Sequence, residues 1–208
     1  MRMRRTIVGK RPHAELQHLI YTVFQRPTKP ESAEGVCIVF TSALHNEGVT
    51  YVVRRLGQEL AQHDDKNTLI IDSAYLQKLT PGDLDQIAAS SRRESNRYCV
   101  LTADASEVRH AESSPWKSDR GFREQCLRTL KSVFDYVLID CSPIGHDATA
   151  ASLAPISDGV VLVVEAGRTR RNHIQFSEQI LRSAHGKVVG YVLNKRRYLI
   201  PDWLYARL

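Results

Sequence analysis

Binding a phosphate takes backbone N–H groups turned toward one point, a nearby cation, and carboxylates able to hold a metal ion. Three stretches of this sequence carry residues of those kinds. The first, residues 40–50, reads FTSALHNEGVT. Against the phosphate-loop pattern G-x-x-x-x-G-K-[ST], the window ALHNEGVT keeps the second glycine as Gly48 and the hydroxyl residue as Thr50. It has Ala43 for the first glycine and Val49 for the lysine. At a strand-to-helix junction the N–H groups around Glu47 and Gly48 would face outward at a helix N-terminus, a natural anion site. The pattern alone favours a plain strand-to-helix loop. The second and third stretches, TLIID and YVLID, end in Asp72 and Asp140. Two carboxylates beside a phosphate loop would hold Mg²⁺ through its water ligands. Each aspartate alone would serve equally well as the cap of a turn.

These three stretches need a scaffold that brings strand ends together. Apolar runs GVCIVFTS, NTLIIDS, YCVLTAD, DYVLIDC, DGVVLVVEAG and GKVVGYVLN recur along the chain, separated by helical or loop material of crossover length. Runs without polar alternation imply strands buried on both faces. The expected fold is α/β, a doubly wound and mostly parallel sheet, whose ligands bind at the carboxyl ends of the strands. After the first run, VTYVVRRLGQELAQH repeats its apolar residues at helical spacing. Leu16, Leu19, Ile20, Val23 and Phe24 predict another helix near the N-terminus, followed by the proline-bearing linker QRPTKPESAEG. Residues 90–118 are polar and irregular around one short strand and suggest no chemistry.

Composition bounds the function classes. The chain has 208 residues, 42% hydrophobic and 25% charged, which suits one globular domain with a sizeable core. The net charge of +6 permits an anionic partner without choosing one. Basic residues cluster at Arg2, Arg4, Arg5, Lys10 and Arg11, at Arg168, Arg170 and Arg171, and at Lys195, Arg196 and Arg197. Each cluster alone reads as solvated surface. Four cysteines without CxxC spacing are expected to be reduced core residues of a cytosolic protein. The basic opening lacks the apolar stretch of a secretory signal, and no apolar run approaches the ~20 residues that span a bilayer.

Taken together, the three loops resemble the cytoplasmic bacterial tyrosine kinases and the polysaccharide-assembly ATPases of the CpsD/CapB type, within the wider class of septum-positioning and plasmid-partitioning ATPases. Thr41, Ser42, Glu47, Gly48 and Thr50 match the family's T-S-x-x-P-G-E-G-K-[ST]-T. Asp72 matches the first aspartate of L-I-D-x-D-x-R, and FDYVLIDCSP is close to Y-D-x-[VI]-[IL]-I-D-T-P-P. DATAASLAPISDGVVLVVEAGRTRRNHI follows the family's downstream block almost throughout, and GYVLN is similar to a strand whose asparagine, here Asn194, usually meets the adenine. The resemblance implies a P-loop NTPase fold of the deviant-Walker, partitioning-ATPase-like type. It also implies ATP or ADP with Mg²⁺ as cofactors, held by Asn46, Glu47, Gly48, Val49, Thr50 and Asn194, with Thr50, Asp72 and Asp140 on the metal. Asp72 and Asp140 are then the catalytic carboxylates.

Several positions depart from that pattern. Val49 offers neither charge nor donor, Leu44 stands where partitioning relatives place a second lysine, and Ala74 replaces a carboxylate. Arg54 and Arg55, a turn further along, are expected to face solvent or a neighbouring element. The tail holds only Tyr198 and Tyr205 instead of a tyrosine cluster, and His18 and Tyr21 occupy the arginine positions of the ring-forming E-x-x-R-x-x-R that begins at Glu15. A ring is therefore not expected, while a homodimer stays open. Residues 1–34 read as a basic arm with one helix and a linker, 35–195 as the P-loop-NTPase-like domain, and 196–208 as a basic, aromatic tail. The expectation is a noncatalytic homologue in exopolysaccharide or capsule biosynthesis, docked on the cytoplasmic part of a membrane polysaccharide co-polymerase. It would be cytoplasmic and peripheral at the inner membrane, with Trp203, Leu204, Tyr205 and Arg207 touching the membrane surface or packing on their own domain. The alternatives are an active kinase or ATPase using Thr50, Asp72 and Asp140, and a positioning ATPase that binds DNA. Nothing resembles a base-reading module, so nucleic acid is not expected.

Overall fold

The computed structural model describes residues 5–7, 34–63, 66–93, 98–102 and 115–196. The N-terminal helix over residues 12–24, the ring-forming positions and the tail beyond Arg196 lie outside the described residues.

The elements run β1 (Arg5–Ile7), β2 (Val36–Ser42), α1 (Val49–His63), β3 (Thr68–Asp72), α2 (Ser73–Leu76), α3 (Pro81–Arg93), β4 (Tyr98–Leu101), α4 (Pro115–Ser118), α5 (Arg120–Val133), β5 (Tyr136–Asp140), α6 (Thr149–Leu153), β6 (Gly159–Glu165), α7 (Arg171–Ser183) and β7 (Val188–Asn194). All six apolar runs form strands. β1 adds a further strand inside the basic arm, paired with β7. The seven-stranded sheet has the order β1-β7-β6-β2-β5-β3-β4, and every neighbouring pair is parallel.

Side chains alternate across a strand, so each buried strand feeds two cores. Cys37 and Val39 of β2 join Leu69, Ile71, Val137 and Ile139 on one face, where Phe122, Cys126, Leu127 and Leu130 of α5 cover them. Val36, Ile38 and Phe40 point to the other face, against Val52, Val53, Leu56 and Leu60 of α1. Phe40, Leu56 and Leu60 are fully buried, worth ~1.5–3 kcal/mol each in transfer terms. Within the polar stretch 90–118, α4 carries Trp116 into the core at 3% exposure, an anchor that the surrounding polar residues conceal in the sequence.

The sheet order positions the site. From β2 the chain crosses to β3 and β4 on one side, returns to insert β5 between β2 and β3, then places β6 and β7 on the other side of β2. The direction of winding therefore reverses around β2, which is where ligand clefts form in such sheets. Register completes the placement: Asp72 and Asp140 are direct partners at the ends of β3 and β5.

Candidate functional site

Residues 43–48 link the end of β2 to α1 and form a loop held from below. Thr41 Oγ1 donates to Ser142 O at 2.7 Å, Ser42 Oγ to Leu44 O at 2.9 Å, and the Ile144 N–H to Ser42 O at 2.9 Å. These bonds join the loop base to the loop after β5. Glu47 is fully buried. Its carboxylate accepts from the Leu44 N–H at 2.8 Å, the Glu165 N–H at 3.3 Å and the Thr169 hydroxyl in a short bond. A buried carboxylate demands such donors. The side chain of Glu47 thus braces the loop to the end of β6, and only its backbone is available to a ligand.

Three successive loop carbonyls are each claimed by a side chain from elsewhere. Arg168 Nη1 donates to His45 O at 3.0 Å, Lys195 Nζ donates to Asn46 O, and Asn194 Nδ2 donates to Glu47 O at 2.9 Å. Asn46 and Gly48 have φ of 62° and 89°, in the left-handed region. A Cβ on Gly48 would lie 2.3 Å from Asn194 Nδ2, so position 48 requires glycine on two counts. The N–H groups of Asn46 and Gly48 find no acceptor among the described residues. Alternating backbone of this kind forms an anion-binding concavity.

In front of the loop lies a cleft of about 330 Å³, lined by Ser42, His45 to Thr50, Asp72 and Asp140 to Pro143. Asn46, Glu47, Gly48, Val49, Thr50, Asp72 and Asp140 therefore share one cavity. Asn194 stands outside that lining, behind the loop at 5% exposure, with its amide on Glu47. Val49 is 8% exposed and packs into the apolar cluster of Phe40, Val52 and Val53. The position of the expected lysine is thus filled by core.

The carboxylates keep the arrangement a metal would use. Asp140 lies beside the Thr50 hydroxyl, and its carboxyl is raised from 3.8 to about 6. Burial is the main cause; the neighbouring Thr50 hydroxyl opposes it, the Asp72 charge adds to it, and the Arg54 charge opposes it. Arg54 is exposed, yet close enough for Asp140 to feel its charge. Asp72 accepts from the Ala74 N–H at 2.8 Å and so also caps α2. No group of three His, Cys, Asp or Glu able to hold a metal occurs among the described residues. One hydroxyl and two carboxylates suit Mg²⁺, which keeps waters and takes phosphate oxygens as further ligands. At the cleft mouth the His45 and His146 rings meet edge to face, centroids 5.0 Å apart.

Arg168 and Lys195 are the residues that sequence reasoning missed. Both lie in basic clusters that follow strands β6 and β7, and no local pattern ties them to the loop after β2, because that approach depends on the sheet order. No described helix is long and apolar enough to cross a membrane.

No family model matches the chain. Its homologues are bacterial tyrosine kinases and related proteins of polysaccharide synthesis. It is 27% identical over 177 residues to the tyrosine-protein kinase CpsD of Streptococcus agalactiae, covering 78% of this chain and 76% of the relative. It is 28% identical over 183 residues to the succinoglycan biosynthesis transport protein ExoP of Rhizobium meliloti, covering 78% of this chain and 22% of that longer one. The solved kinase domain of the Escherichia coli tyrosine kinase ETK shares the fold at a TM-score of 0.64 and 17% identity, covering 96% of this chain and 86% of that one.

Proposed function

We propose that this homologue of the bacterial tyrosine kinases has given up turnover and serves exopolysaccharide or capsule assembly by docking on the cytoplasmic part of a membrane polysaccharide co-polymerase. The single observation that carries this reading is Val49, a buried isopropyl group at the place where phosphoryl transfer needs an ammonium. Removing one such electrostatic group lowers turnover by about 10²–10³-fold. The rest of the cleft retains the features of a phosphate site. The N–H groups of Asn46 and Gly48 would meet phosphate oxygens, and Thr50, Asp72 and Asp140 would hold Mg²⁺. A bound Mg²⁺ would neutralise part of the phosphate charge. Asp140 must be ionised to contribute, so its raised pKa ties metal binding to pH. On this reading the chain binds MgATP or MgADP weakly at a cytoplasmic site at the inner membrane.

Calorimetric titration with MgATP, together with measured phosphate release, tests the proposal with and without the co-polymerase's cytoplasmic tail. Weak heats and release at background are expected in both cases. Sustained release that the tail accelerates would overturn it and favour the second reading, an active kinase or ATPase. That reading has the Thr50 hydroxyl beside Asp140 and the Asp72–Asp140 pairing in its favour. DNA binding is a weaker third reading, and an absent mobility shift at low salt removes it.

A further inference from the structure

The trans peptide plane places each N–H opposite the preceding carbonyl. A donor fixed on the His45 carbonyl therefore aims the Asn46 N–H the other way, one on Asn46 aims the Glu47 N–H, and one on Glu47 aims the Gly48 N–H. Arg168, Lys195 and Asn194 hold these three carbonyls. Lys195 reaches the loop from a left-handed backbone position, φ 56°, which an L-residue rarely adopts. Its Cε passes 3.9 Å from the place a Gly48 Cβ would take. Glu165 ties the two cations together, accepting from Arg168 at 3.1 Å and from Lys195 at 3.2 Å. Both hold its carboxyl below the usual glutamate range, Arg168 most. The two cations are matched by two carboxylates, Glu165 between them and Glu47 on the Glu165 N–H, so the cluster is balanced and its hold on the loop is through hydrogen bonds to the loop carbonyls.

We propose that Arg168 and Lys195, joined through Glu165, form a clamp that presets the loop's N–H groups toward the cleft, so that the loop accepts the diphosphate of a nucleotide. This rests on the reading of the cleft as a nucleotide phosphate site and names the residues that hold it ready. The two are positioning residues: they act on the ligand through the loop backbone. Because the clamp lies behind the loop, it serves binding of a diphosphate and leaves the in-line chemistry at a terminal phosphate unassisted. Retained binding without turnover follows from that placement.

The test is calorimetric titration of MgADP into the full chain and into K195M, R168M, the K195M/R168M double variant and K195R, with thermal melts to confirm folding. Wild type is expected to bind. Each methionine variant should lose about tenfold in affinity, the double variant more, and K195R should recover most of the loss, since it keeps a charged donor for the loop carbonyl. Arg168 and Lys195 are about half exposed, so folded single variants carry the test if the double variant fails to fold. Equal MgADP affinity in wild type and folded methionine variants overturns the clamp while the nucleotide reading stands. A K195R variant as weak as K195M overturns the cationic grip on the Asn46 carbonyl, and with it the proposal. Wild type that binds no MgADP at millimolar concentration overturns both the clamp and the reading beneath it.

Discussion

Val49 begins α1 with its side chain in the core, and the cleft in front of it lacks an ammonium for that reason. A lysine at this position can leave its stem along the same apolar wall and carry its charge into the cleft. We therefore expect V49K to bind MgATP at least about tenfold more tightly and to release phosphate about 10²-fold faster than wild type, by calorimetry and a phosphate-release assay. Asp140 offers a test through pH. Its folded pKa of about 6 exceeds the 3.8 of the unfolded chain, so the folded state holds the proton more tightly. The stability this gives is fully present below pH 3.8 and is lost as pH rises through 6. D140N stays neutral throughout. Its advantage over wild type should be near zero at pH 4 and reach about 3 kcal/mol at pH 7, read from denaturant melts at each pH. Equal pH profiles for the two proteins would contradict the burial of Asp140.

The loop from β2 to α1 is held as a unit by contacts from the ends of β5, β6 and β7, so its variants should fail in a connected way. E47A removes the acceptor of the part-buried Leu44 N–H and Thr169 hydroxyl, while the Glu165 N–H keeps Thr169 Oγ1 at 3.0 Å; we expect a loss of about 2 kcal/mol in urea denaturation. T169V removes one of those partners and should cost about 1 kcal/mol. G48A meets two obstacles, a φ of 89° and the Asn194 amide. It should cost about 2 kcal/mol or more, and N194A in the same chain should relieve only the steric part. A double-mutant cycle in which the two costs simply add would show that Asn194 does not crowd position 48. At this scale the strands β2 to β7 and helix α1 were legible in the sequence, because apolar runs and helical spacing report burial directly. The inward turn of the Glu47 side chain was not legible. A glutamate in a polar loop reads as exposed until partners more than a hundred residues away claim its carboxylate.

Across the whole molecule, two cores enclose one parallel sheet, and the cysteines sample both the sheet and its covering helices. Cys37 of β2 and Cys126 of α5 are raised to about 12, chiefly by burial, and Cys141 at the end of β5 is also raised by burial. Thiolates are the reactive form, so alkylation in native buffer should spare all three and modify half-buried Cys99 first. In rising urea the three should become reactive together, at the global midpoint, by mass spectrometry. Early reaction of Cys126 alone would mean that α5 detaches before the sheet unfolds. By itself the sequence determined the α/β class, the three strand-end loops and the absent ammonium at Val49, since each is a pattern of neighbouring residues that needs no knowledge of what lies across the fold. Only the tertiary structure decided that Asp72 and Asp140 stand side by side, that Trp116 is core, and that Arg168, Asn194 and Lys195 grip the loop. Those facts depend on the order and register of strands, which brings together residues separated by as many as 149 positions, and a local pattern carries no record of such pairings.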